Sequence, residues 1–131
     1  MSITFDKAFG VHQYTLGVRS RRAEILASNI ANADTPNYKA RDINFKKALE
    51  EAMNGHDFRL SRTNKRHIAG MADFDPAIGY RIPDQPDTGD GNTVDMQTEK
   101  TLFMENGMRY EASLNFLNSK VRSLKKSITG Q

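Results

Sequence analysis

Three histidines, a cluster of aspartates, a handful of serines and two runs of cations are the side chains of this sequence with chemistry to offer. His12, His56 and His67 are dispersed, and no two have the spacing of a helical metal site. Asp84, Asp87 and Asp90 sit in "DQPDTGDGN", but no start point in that stretch aligns the oxygen ligands and the closing Glu of a calcium loop. It reads as a turn. Ser61, Ser113 and Ser119 lie outside any nucleophile elbow, and no Gly-rich phosphate loop or dinucleotide fingerprint is present. The residue types therefore predict no catalysis, no cofactor and no metal. The basic stretch "RLSRTNKRH" (Arg59, Arg62, Lys65, Arg66, His67) has phosphate-binding chemistry but no aromatic platform or recognition helix beside it. It reads as a solvated or partner-facing loop, and Arg19, Arg21 and Arg22 as the polar face of a helix.

The densest polar chemistry is amide. In "LASNIANADTPNYKARD", small residues alternate with Ser28, Asn29 and Asn32 before a stop at Thr35-Pro36. Asn29 and Asn32 are three apart and share a helix face. Each amide both donates and accepts. Small side chains admit a second helix at close range, so this stretch predicts hydrogen bonds across a helix contact, to backbone or amides of a neighbouring chain.

Two long helices must position it. Phe103, Tyr110, Leu117 and Leu124 recur every seven residues, and Leu114, Val121 and Ile128 form a second row offset by four. This is the 3-4 spacing of a coiled-coil seam, with Asp95 as its cap and Gly130 just past its end. A helix of about 34 residues spans roughly 50 Å. At the other terminus Phe9, Leu16, Ala23 and Ile30 repeat at seven, beside Val11, Val18 and Ile25. That predicts a helix from Phe5 to Ala33, with Leu26 among its apolar positions, Gly10 and Gly17 as weak points and Pro36 beyond its end. A short amphipathic helix follows over Asn44 to Asn54, capped by Asp42.

Between Gly55 and Asn92 lie three of the four prolines and five of the nine glycines. "FRLSR" and "GYRIP" alternate briefly, as short strands do. The division is a terminal helix over 1–35, a turn, short helix and loop-rich middle over 36–93, and a second long helix over 94–131, together one assembly unit. The fold class is mostly α: a coiled-coil-like pair of terminal helices, with an irregular middle and a short β-hairpin.

Composition supports assembly over an autonomous core. Of 131 residues, 37% are hydrophobic and 8% aromatic, with no Trp, below the apolar share of about 45–50% usual for globular domains. One stripe per helix buries too little, so partner subunits are expected on the remaining faces. The formal charge is +3 and there is no Cys, which excludes a disulfide framework. No stretch is apolar enough for a membrane span, and the N-terminal segment lacks the apolar core of a cleaved signal. A basic coiled-coil adaptor for nucleic acid or an acidic protein is the second reading. Salt separates the two, because phosphate binding falls steeply with ionic strength.

"RRAEILASNIANADTPNYKARDINF", Arg21 to Phe45, closely resembles the N-terminal signature of bacterial flagellar rod, hook and hook-associated proteins. "GNTVDMQTEKTLFMENGMRYEASLNFL", Gly91 to Leu117, resembles their C-terminal signature. The continuation "ARDINF" and the short length are most similar to the short members that form the proximal rod. The resemblance implies a structural subunit without enzymatic activity. It implies a helical homo- and hetero-oligomer with other rod subunits, contacting the rod adaptor protein and export gate at the base. It also implies export without a cleaved signal and residence in the periplasmic rod of the basal body. The expected assembly interface is Phe9, Leu16, Ala23, Leu26, Asn29, Ile30, Asn32, Pro36 and Tyr38, with Phe103, Tyr110, Leu114, Leu117, Val121, Leu124 and Ile128.

Overall fold

In the computed structural model, residues 4–54, 77–87 and 89–130 are described. The elements are α1 (Phe5–Phe9), α2 (His12–Ala31), β1 (Arg41–Ile43), α3 (Phe45–Asn54), β2 (Ile78–Tyr80) and α4 (Met96–Thr129). The fold is mostly α, as the periodicity predicts. Helices α2 and α4 form an antiparallel hairpin: Asn29 meets Glu99, Arg19 meets Asn106, and His12 stacks on Phe116 with ring centroids 5.7 Å apart. Helix α1 packs further along α4, and α3 lies against α2.

The predicted N-terminal helix is broken. Gly10 adopts φ +58° and separates α1 from α2, a left-handed conformation that a residue with a Cβ adopts only at a cost. At its other end α2 stops at Ala31, with Asn32 as its C-cap. The chain then turns through Pro36 and Asn37, the latter at φ +63°. Helix α4 follows the expectation at both ends. The Asp95 carboxylate accepts from the Gln97 N–H (3.1 Å) and the Thr98 hydroxyl (2.6 Å). Gly130, at φ +70°, returns its N–H to the Lys126 carbonyl.

The cap of α3 is Asn44, whose side-chain oxygen accepts from the Lys47 N–H at 3.1 Å. Asp42, expected in that role, is drawn away by two guanidinium groups. "GYRIP" contributes to β2, which pairs antiparallel with β1 in the register Arg41↔Tyr80, Asp42↔Gly79, Ile43↔Ile78. "FRLSR" lies outside the described residues, as do His56, His67 and the "RLSRTNKRH" cations. Among the described residues the buried apolar ones are few: Val18, Leu26, Ala40, Ile43, Ala77 and Val94.

Candidate functional site: a polar hub and an uncovered helix face

Among the described residues the largest fully buried side chains are Leu26, Glu99, Asn29 and Asn106, three of the four polar. Burying such groups costs free energy unless every donor and acceptor is met. Asn29 is met four times. Its Nδ2 donates to the Arg41 carbonyl (2.7 Å) and to Glu99 Oε2 (3.1 Å). Its Oδ1 accepts from the Arg41 N–H (3.1 Å) and the Tyr38 hydroxyl (3.2 Å). The amide thus pairs with both backbone groups of Arg41, as a neighbouring strand would, and covers the open edge of β1. The expectation was a bond to another chain. The full capacity of this amide is used inside its own. Asn32 likewise donates to the Ser28 carbonyl, one turn back, at 2.8 Å.

Glu99 takes its second partner from Arg81, whose Nη1 donates to Glu99 Oε1. Arg81 Nη2 also reaches Asp42 Oδ2 at 3.0 Å, while Arg22 grips Asp42 with two bonds of 2.9 Å. The result is a chain of charge, Arg22–Asp42–Arg81–Glu99, that joins α2, β1, the end of β2 and α4. Burial alone would raise the Asp42 carboxyl. Arg22, the Ile43 N–H and Arg81 outweigh it and hold that carboxyl below the usual aspartate range. The Asp42 hydrogen bond in turn raises Arg22.

Asn92 closes the end of α2. Its Nδ2 donates to the carbonyls of Asn32 (3.0 Å), Ala33 (2.8 Å) and Thr35 (2.8 Å) at the helix end; those of Asn32 and Thr35 also accept from the Thr35 and Tyr38 N–H groups. Its Oδ1 accepts from the Val94 N–H at 2.8 Å. Asn37 N–H to the Asp90 carbonyl and Thr93 N–H to the Tyr38 carbonyl complete the lock. Gly91 sits here at φ +71°, and a Cβ on it would meet the Asn37 side-chain oxygen at 2.5 Å.

Arg19 and Arg22 are not the solvated face their sequence suggests. Arg19 lies over the Phe45 ring, 4.4 Å from its centroid. Burial, then Arg109 and Arg22, lower its pKa. Asn106 donates to the Arg19 carbonyl at 2.9 Å.

The expected interface residues divide. Leu26 and Asn29 are wholly buried within the chain. Phe9, Leu16, Ala23, Ile30, Asn32, Tyr38, Leu117 and Leu124 are half-buried, and Pro36 is exposed. Phe103, Tyr110, Leu114, Val121 and Ile128 are exposed, together with Met104, Met108 and Phe116. The seam that faces α2 is therefore another heptad row, Glu99, Asn106 and Ser113. The apolar rows lie on faces the fold leaves open. Asn92, Arg81 and Glu99 escape the sequence reading. Only Glu99 has a signal: Glu99, Asn106 and Ser113 repeat at seven, an unusual row for polar residues.

The arrangement offers no enclosed cleft with convergent reactive groups among the described residues. It offers a rigid hairpin with an apolar outer face. No helix among them is long and apolar enough to cross a membrane. Residues 11–39 match the family described as flagella basal body rod protein. Across 100% of this chain and 99% of the relative's length, the sequence is 56% identical to a flagellar basal body rod protein FlgB of Aeromonas hydrophila. FlgB proteins of Salmonella typhimurium and Escherichia coli K12 are 42% and 44% identical, covering 95% and 91% of both partners. The polar hub, the open apolar face and these relatives converge: the chain belongs to the flagellar basal body rod protein family represented by FlgB, and is a structural rod subunit of the flagellar basal body that serves motility.

Proposed function

We propose that this chain forms the proximal segment of the rod, polymerising through its terminal helices into the axial shaft and the channel through which later subunits pass. Its neighbours are further copies of itself, other rod subunits, and at the base the rod adaptor protein and export gate, in the periplasm.

The observation that carries the reading is the outer face of α4. Phe103, Tyr110, Leu114, Val121 and Ile128, which fall within one narrow arc of the helix at about 100° per residue, are each at least 37% exposed. Scattered apolar residues on a surface need no explanation, but a row along one helix marks a contact site. The polar hub fixes the hairpin independently of that face, so the face is free to serve neighbours. The adaptor reading for nucleic acid loses ground. Arg22 is paired with Asp42, and Arg19 is stacked on Phe45.

A strain whose only copy carries Val121→Asp tests this. The variant protein should be made and folded, yet the cells should lack completed hook–basal bodies and fail to swim. Normal hook numbers would remove the α4 face from the interface.

A further inference from the structure

The two ends of the molecule carry opposite charge. Residues 83–95 include Asp84, Asp87, Asp90 and Asp95 with no Lys or Arg, a formal −4. Residues 112–131 include Lys120, Arg122, Lys125 and Lys126 with no Asp or Glu, a formal +4. The acidic segment leads into the start of α4 and is clamped to the end of α2 by Asn92. The basic residues ride on the last third of α4, whose 34 residues span about 50 Å.

Local roles account for part of this. Asp95 caps α4, and Asp90 accepts from the Asn92 N–H. Cations suit a helix C-terminus. Asp87 likewise accepts from the Gly89 N–H at 2.9 Å, but neither role covers Asp84; both aspartates are exposed and follow in sequence Tyr80 and Ile82, themselves 75% and 85% exposed. Nor does either explain the end of α4. From Asn118 to Gly130 every side chain but Leu124 is exposed. Leu117, Val121, Leu124 and Ile128 make one stripe at 4-3-4 spacing there. At about 100° per residue, Lys120 and Lys125 fall on either side of it, as flanking charges do beside a coiled-coil seam. Each end thus joins exposed apolar groups to charge, of opposite sign.

We propose that the basic end of α4 docks on the acidic end of a second copy of this chain, head to tail. The stripe from Leu117 to Ile128 covers Tyr80 and Ile82, and Lys120 and Lys125 meet Asp84 and Asp87. The two patches lie on different surfaces of the molecule, so the contact is heterologous and propagates instead of closing into a dimer. The inference rests on the rod reading, to which it adds the direction of contact and the groups that make it.

Charge reversal at both ends tests it, in a strain without any other copy. Lys120→Glu with Lys125→Glu, or Asp84→Lys with Asp87→Lys, should each reduce completed basal bodies about tenfold or more. The chain carrying all four substitutions should recover to within about twofold of the unmodified protein. Failure of that recovery, with all variants folded by circular dichroism, overturns the second copy as partner and assigns the acidic surface to a different subunit. Normal assembly of either double variant overturns the contact altogether. Because the chain has no Cys, Asp84→Cys with Lys125→Cys supplies a check that needs no reversed charge. Oxidised basal bodies should then yield a ladder of multiples of this chain, and monomer alone overturns the proposal. The rod reading fails separately, if a strain lacking the chain builds normal basal bodies.

Discussion

Where α4 begins, Glu99 and Asn29 are wholly buried and every polar atom of the Asn29 amide has a partner. Where α4 ends, Ile128 is 85% exposed, and from Lys120 to Thr129 every residue but the half-buried Leu124 is exposed. One end is held by directional bonds among polar groups, the other displays apolar groups that bond to nothing. The contrast inverts the usual plan, in which apolar residues make the core and polar ones the surface. Its physical sense lies in specificity. An apolar core between two heptad helices tolerates slips of register, while a buried polar group tolerates only the register that satisfies it. A subunit that must keep its apolar stripes for neighbours needs another means of holding its own hairpin together.

The contrast is most directly broken at Arg81. Arg81→Ala leaves the Glu99 carboxylate buried with a single amide donor, and should cost about 3 kcal/mol, read as a drop in the urea midpoint. Asn29→Leu strands both backbone groups of Arg41 and should cost about as much, with each unpaired group near the lower end of about 1–3 kcal/mol because Arg41 is exposed. If either variant matched the unmodified protein in stability, the hub would be ornament and the apolar rows would hold the hairpin after all.

Asn92→Ala comes next. It removes a donor from three carbonyls at the end of α2, of which those of Asn32 and Thr35 keep a backbone N–H, so about 1–2 kcal/mol is expected. Amide exchange should quicken over Asn32–Tyr38 before it does over the middle of α4. Uniform quickening would mean that the hub and the helices open as one unit.

Acid separates the two ends by charge. The folded Asp42 carboxyl lies below its ordinary range, so the unfolded chain takes up the proton first. Stability from this group is complete above the ordinary aspartate value near 4. It is lost as pH falls through the folded value below it. Melts between pH 7 and pH 3 should show this decline, and Asp42→Asn should flatten it. Residues 112–131 hold no Asp or Glu side chain to add to this decline.

The smallest effect is expected on the open face. Val121→Asp should change the stability of the isolated chain by no more than about 0.5 kcal/mol, although the same substitution should abolish assembly. A loss of 2 kcal/mol or more would mean that Val121 is covered by its own chain.

Sequence alone determined what local rules govern. Helix α4 was legible from end to end, because Asp95 caps it, Gly130 closes it and its second apolar row breaks only at Gly107. The short amphipathic helix was legible from its spacing, although Asn44 and not Asp42 caps it, and the pair of terminal motifs carried the family. The break at Gly10 was visible only as a weak point, since glycine permits a left-handed residue without requiring one. What tertiary structure decided was which face of each helix turns inward. Two heptad rows run along α4, one apolar through Phe103 and Tyr110, one polar through Glu99, Asn106 and Ser113, and periodicity fits both equally. The choice fell to partners far away in sequence: Arg81 lies 18 residues from Glu99, and Asn29 lies 70. A carboxylate is worth burying only where a guanidinium and an amide arrive together, and only the folded chain brings them there.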